Sequence, residues 1–339
     1  MRRPISARMA GGIAAAASAL LGCAEWRRPP LMAGYEAGAP LVHEQALVGL
    51  DAGGNAAALQ LLDAEGRPAE LELLVLDGLG GPTRHLLQAP AAVAAAAAAA
   101  LRTAGREARP LLADVGERTW PAAVRTARER GFAAALPERT APEWRIPGAP
   151  AAGALPLSLR VALEDQGDPP AFTLRLSLDA AKEAGPRDVE LVRQPVAGAP
   201  IPGGLWISNR IVWLLSGSVG REPLRRTVGL RSASLSRGEA SLHDLQGRAW
   251  QASGDLERAR REFDLAIAAD PAFFDGLYDA AAAAARVGKA DEAIALLRRA
   301  ALVDRQRVQV LGRDDADLKL LRRREDVRAL LGLKRPPPE

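Results

Sequence analysis

The chain has 339 residues, 45 of them basic and 41 acidic, with one cysteine and three histidines. A single cysteine excludes an internal disulfide or a cage built from several thiolates. A formal charge of only +4, with no Lys/Arg stripe interleaved with aromatics, argues against nucleic acid as a partner.

Arg2, Arg3 and Arg8 open the chain without an acid, and the small, apolar run from Met9 to Leu21 leads into Gly22-Cys23. Charged n-region, short apolar h-region and small residue at a cleavage point are the parts of an export signal. The run is shorter than the roughly 20 residues that a helix needs to span hydrocarbon. Leu20-Leu21-Gly22-Cys23 resembles the lipobox of bacterial lipoproteins. That resemblance implies loss of residues 1–22, a diacylglyceryl group on the sulfur of Cys23 and acylation of the new amino terminus. Ala24 stands where an Asp would imply retention in the inner membrane, so the resemblance places the chain in the cell envelope, lipid-anchored at the outer membrane of a diderm bacterium. Three of the 45 basic residues leave with the signal, so the mature chain carries a net charge near +1. What remains is long enough for two domains, each with its own core.

Residues 23–40 mix Pro, Gly and charge without a period and read as a tether. Four short, largely apolar runs follow, at 41–50, 56–62, 70–76 and 84–88. They are separated by "DAGGN", "DAEGRP" and "DGLGGP", the composition of antiparallel hairpin turns. Residues 91–104 are nearly all Ala and predict a helix. Thr119-Trp120-Pro121 predicts a second helix, capped by Thr119 and stopped at Gly131. Residues 137–156 are rich in Pro and Gly and read as a loop. Strands resume at 157–165, 171–179, 188–196, 205–208, 210–218 and 224–235. In the second of these Phe172, Leu174, Leu176 and Leu178 alternate with Thr173, Arg175 and Ser177. The expected fold class is therefore α+β and multidomain, with a β-rich domain over 41–235, sandwich-like or a meander, carrying a helical insertion near 90–135.

Beyond Ser236 the period becomes helical, with Ser236 to Glu239 as a candidate capping box. A shift of 34 residues carries Gly247 to Ala281, Gly254 to Gly288, Ala259 to Ala293, Phe263 to Leu297, Ala266 to Ala300 and Asp270 to Asp304. Segments 245–271 and 278–304 resemble tetratricopeptide repeats, with Trp250 at the place of the family's large aromatic. They depart from the pattern in Arg305, where Pro is usual, and in the almost all-Ala first helix of the second repeat. The resemblance implies two helical hairpins over 236–304, capping helices over 305–333, a frayed tail at 334–339, and protein or peptide binding in a groove lined by the first helix of each repeat. The family's groove-facing places fall on Asp244, Arg248 and Gln251 in the first repeat and on Asp275, Tyr278 and Arg286 in the second. Their mixed charges differ from a basic carboxylate clamp and fit a partner segment bearing both signs.

Chemistry is harder to find. His43, His85 and His243 have no His or Cys at ligand spacing. "SGSVG" at 216–220 lacks the leading Gly and following helix of a nucleophile elbow, and "DGLGG" at 77–81 meets Pro82 where a dinucleotide fingerprint needs a helix. The reading is thus a non-enzymatic envelope lipoprotein, without metal or cofactor, that acts as a protein-interaction scaffold. The alternative is a small ligand or cell-wall polymer bound by the β-rich domain, with Trp144, Trp206 and Trp213 as stacking candidates.

Overall fold

The computed structural model describes residues 40–115, 120–134, 143–152, 156–164, 169–178, 187–220 and 225–333. The export signal, Cys23, the tether, the Thr119 cap and the tail lie outside the described residues. The protein is a mixed α/β chain, with a β-rich sheet domain followed by a helical region. It divides into two compact units, residues 1–141, 162–174 and 192–234, and residues 142–161, 175–191 and 235–339.

In the first unit, strands β1 (Pro40–Leu50), β2 (Ala56–Ala64), β3 (Glu70–Leu76) and β4 (Arg84–Gln88) form an antiparallel meander. Its turns are those that the glycines announce: Gly54, Gly66 and Gly80 have φ of +86°, +76° and +83°, a region that residues with a Cβ avoid. Strands β9 (Ala199–Ser208), β10 (Ile211–Gly220) and β11 (Arg225–Ser234) form a second meander. A parallel pairing of β1 with β11 joins the two into one sheet of order β4-β3-β2-β1-β11-β10-β9. The first and last strand sets of the sequence thus share a sheet.

The helical insertion consists of α1 (Ala91–Ala104), the short α2 (Leu112–Val115) and α3 (Trp120–Glu129). Ala94, Ala97, Ala98 and Leu101 of α1 recur at helical spacing and are buried with Leu59, Leu61, Leu71 and Leu73 of the sheet. The segment entering α2 is fixed by a buried ion pair: Arg226 and Glu44, both fully buried, bind each other. Arg226 also donates to the carbonyl oxygens of Glu107 and Arg109, and Glu44 accepts from the amides of Leu111 and Leu112. Two desolvated charges persist here because nearly every polar atom of the pair is satisfied.

Two strands depart from the sequence reading for one reason. β9 starts at Ala199, well before the expected residue 205, and takes in Pro200 and Pro202. β5 (Glu143–Pro147) lies where the composition reads as loop. β9 ends the large sheet, and β5 ends a four-stranded sheet in which β6 (Pro156–Glu164), β7 (Ala171–Leu178) and β8 (Asp188–Pro195) follow. Proline lacks an amide to donate, which an edge strand tolerates and a central strand does not.

In the second unit, α4 (Leu235–Ser253) and α5 (Leu256–Ala269) form one hairpin, and α6 (Phe274–Arg286) and α7 (Ala290–Gly312) the next. α4 starts at Leu235, so Ser236 lies inside its first turn and not at the cap expected of it. Glu239 is fully buried and its carboxylate accepts from the amide of Ala149 at 2.8 Å and 2.9 Å. The two hairpin turns repeat bond for bond at a shift of 34 residues. Gly254 donates to Gln251 and Gly288 to Ala285; Asp255 donates to Trp250 and Lys289 to Ala284. Gly254 and Gly288 have φ of +89° and +80°. The same register governs packing. A Cβ on Gly247 would lie 2.5 Å from the Phe263 ring, so the glycine is the space that the phenylalanine fills.

The register continues once more. Asp304 breaks α7 with φ −151° and ψ 95°, close to φ −141° and ψ 98° at Asp270, 34 residues earlier. Its carboxylate accepts from the Arg307 amide at 2.9 Å, as an N-cap does. Residues 305–312 therefore start a third helix of the same kind. Only part of the expected cap over 305–333 is regular beyond this: a 3-10 turn (Leu321–Arg323) and α8 (Glu325–Leu330) cover Val308, with Leu318, Leu321, Val327 and Leu331 buried.

A candidate functional site on the helical hairpins

Three helical segments of the second unit surround a cavity of about 550 Å³. α4 contributes Arg248, Gln251 and Ala252, α6 contributes Asp275, Tyr278, Asp279, Ala282 and Arg286, and α7 contributes Arg307 and Leu311. The sequence reading named five of these: Arg248, Gln251, Asp275, Tyr278 and Arg286. The sixth, Asp244, is buried and holds Arg248 at 3.0 Å from one turn below. The lining residues that it missed are Ala252, Asp279, Ala282, Arg307 and Leu311. Asp279 stands four residues after Asp275, on the same helix face. Arg307 lies on the helical segment that restarts after Asp304, which the sequence comparison did not count as a further repeat.

The charges are arranged in pairs. Arg248 bonds Asp279 through Nε at 2.5 Å and Asp244 through Nη2, with Asp275 3.9 Å away. Arg307 bonds Asp275 at 2.5 Å and lies over the Phe274 ring, 4.3 Å from its centroid. Phe274 in turn stacks on Tyr278 at 6.0 Å. Arg286 is exposed at the rim. Asp275 is held by Arg307, so Asp244 and Asp279 are left to share Arg248. Burial, and then the charges of Asp279 and Asp275, push Asp244 up to about 8 in spite of Arg248. Burial also raises Asp279, which the Arg248 guanidinium and a hydrogen bond with Asp244 hold toward the ionised form. Burial, and then the accepting carboxylate of Asp315 at 2.8 Å, raise the Tyr278 hydroxyl, which stays protonated as a donor.

Elsewhere the polar side chains singled out by sequence are bound up in structure. His43 contacts Gln60, His85 Glu72 and His243 Glu262. Among the described residues no group of three His, Cys, Asp or Glu side chains could hold a metal ion. Trp206 is 8 % exposed and Trp213 2 %, with the Trp213 indole donating to the Gly54 carbonyl at 2.9 Å. Both are core residues of the first unit and present no ring to a ligand. Trp144 lies on β5, and its side chain is outside the described residues. No protein-family model matches the chain, no curated protein matches it, and no solved structure matches it.

Proposed function

We propose that the protein is a lipoprotein of the bacterial envelope, anchored through acyl chains on Cys23 at the outer membrane, and that its helical module of tetratricopeptide type binds a segment of a protein partner. The observation that carries this reading is the cavity itself. Five residues placed in the groove by register on the repeat family line one concave surface, drawn from the first helices of two successive hairpins. Paired arginines and aspartates, with Ala252, Ala282 and Leu311 between them, offer an extended segment both charge signs and an apolar floor.

The test is a photo-activatable cross-linking residue at Ala252 in the native host. An adduct is expected with the wild-type groove and is lost with Arg248→Glu plus Asp275→Lys, which reverses both signs while leaving the helices in place. An adduct that survives the double reversal, or none in either protein, would count decisively against the groove as the binding surface.

A further inference from the structure

The third helix of the register is cut short, and what replaces it bears on the cavity. α7 ends at Gly312, where a Cβ would lie 2.5 Å from Leu331, and the chain turns through Arg313-Asp314-Asp315-Ala316-Asp317. On its far side this turn is pinned by Arg322, which donates to the carbonyl oxygens of Asp315 at 2.6 Å and Gly312 at 3.2 Å. Within it, one oxygen of Asp315 accepts from the Asp317 amide at 2.9 Å. The other oxygen accepts from the hydroxyl of Tyr278, a lining residue of the cavity, at 2.8 Å. Asp317 accepts from the side chain of Gln251 at 3.4 Å, a longer and weaker bond. Gln251 belongs to α4 and Tyr278 to α6, so one acidic turn ties together the two helices that wall the cavity.

The same turn takes up the uncharged donors of the cavity. The Arg248 and Arg307 guanidiniums are held by Asp279 and Asp275. Gln251 and Tyr278 are the uncharged donors of the lining, and both are spent on carboxylates of this chain. We infer that the acidic turn 313–317 is an intramolecular clasp, an occupant of the Tyr278 and Gln251 donors that a partner segment has to displace before it can lie along the groove. This rests on reading the cavity as a partner site. The incoming group must accept hydrogen bonds in place of Asp315 and Asp317, which a carboxylate or the backbone carbonyls of an extended segment do.

The clasp is testable without any partner. Cys23 is the only cysteine, so Cys23→Ala combined with Ala282→Cys puts one thiol on the cavity lining, at a position 6 % exposed. Its reaction with a maleimide reagent is followed in the full chain. Tyr278→Phe removes the stronger latch and leaves the turn chemically intact, and Asp315→Ala with Asp317→Ala removes both latches from the other side. Each is expected to speed labelling at position 282, about tenfold for the loss of one bond to a charged acceptor. A thiol placed instead by Ala283→Cys, fully buried in the cluster with Ala259 and Phe263, should keep its slow rate in all backgrounds. Unchanged labelling at 282 in both variants, or an equal rise at 283 that marks general loosening, overturns the clasp. Either result leaves the cross-linking test of the groove standing on its own.

Discussion

Asp244 concentrates the physics of the site in one side chain. An ordinary aspartate titrates near 3.9, whereas in the fold burial and two neighbouring carboxylates push it up to about 8. The folded protein therefore holds a proton that the unfolded chain has released over the window between these values. Stability must fall as pH rises through that window and become flat above it. Asp244→Asn keeps the shape and the acceptor for Arg248 and removes the titration. Against this variant, wild-type melting temperature should drop by on the order of 5 °C between pH 5 and pH 8.5 in low salt. Differential scanning calorimetry of the two proteins decides it, since the titrating groups outside the Asp244–Asp279 cluster cancel in the difference. Parallel curves would mean that Arg248 keeps both Asp244 and Asp279 ionised and that the cluster stores no proton.

At the scale of the element, the 34-residue register makes a prediction about substitution. Gly247 and Phe263 in the first hairpin correspond to Ala281 and Leu297 in the second, and all four are buried. A smaller ring neighbour is exchanged for a larger helix residue, with the volume between the helices kept. Gly247→Ala alone drives a methyl into Phe263 and should cost about 1–3 kcal/mol. Adding Phe263→Leu recreates the combination of the second hairpin and should recover part of that loss, read as a rise in the urea midpoint above the single variant. If the double variant is the less stable of the two, the hairpins do not share a packing scheme. The same comparison explains what was legible in advance. The alternation in β7, the Ala-rich face of α1 and the glycine turns each encode their element locally, and the groove residues follow from a repeat period. β5 and the start of β9 were not legible because an edge position, which excuses their prolines, is a property of the sheet and not of the segment. Nothing in the local sequence marks Asp315 and Asp317 as partners of Tyr278 and Gln251, and only the early end of α7 brings them there.

For the whole molecule, the proposed anchor at Cys23 makes a prediction of its own. Among the described residues no helix is long and apolar enough to cross one, and the lipobox reading assigns the task to Cys23, ahead of the β-rich domain. Each buried methylene contributes about 0.8 kcal/mol, so one acyl chain gives marginal attachment and two or more give a stable one. The consequence is all-or-none at a single atom: without the Cys23 sulfur there is no site for the proposed diacylglyceryl group. In the native host, a palmitate analogue should label the wild-type chain and not Cys23→Ala. The wild type should sediment with outer membranes, while the variant should leave the outer-membrane fraction and still melt as the wild-type protein does. Label retained by the variant, or absent from the wild type, would strip the Cys23 anchor from the proposal and leave the helical cavity to be judged by its own cross-linking.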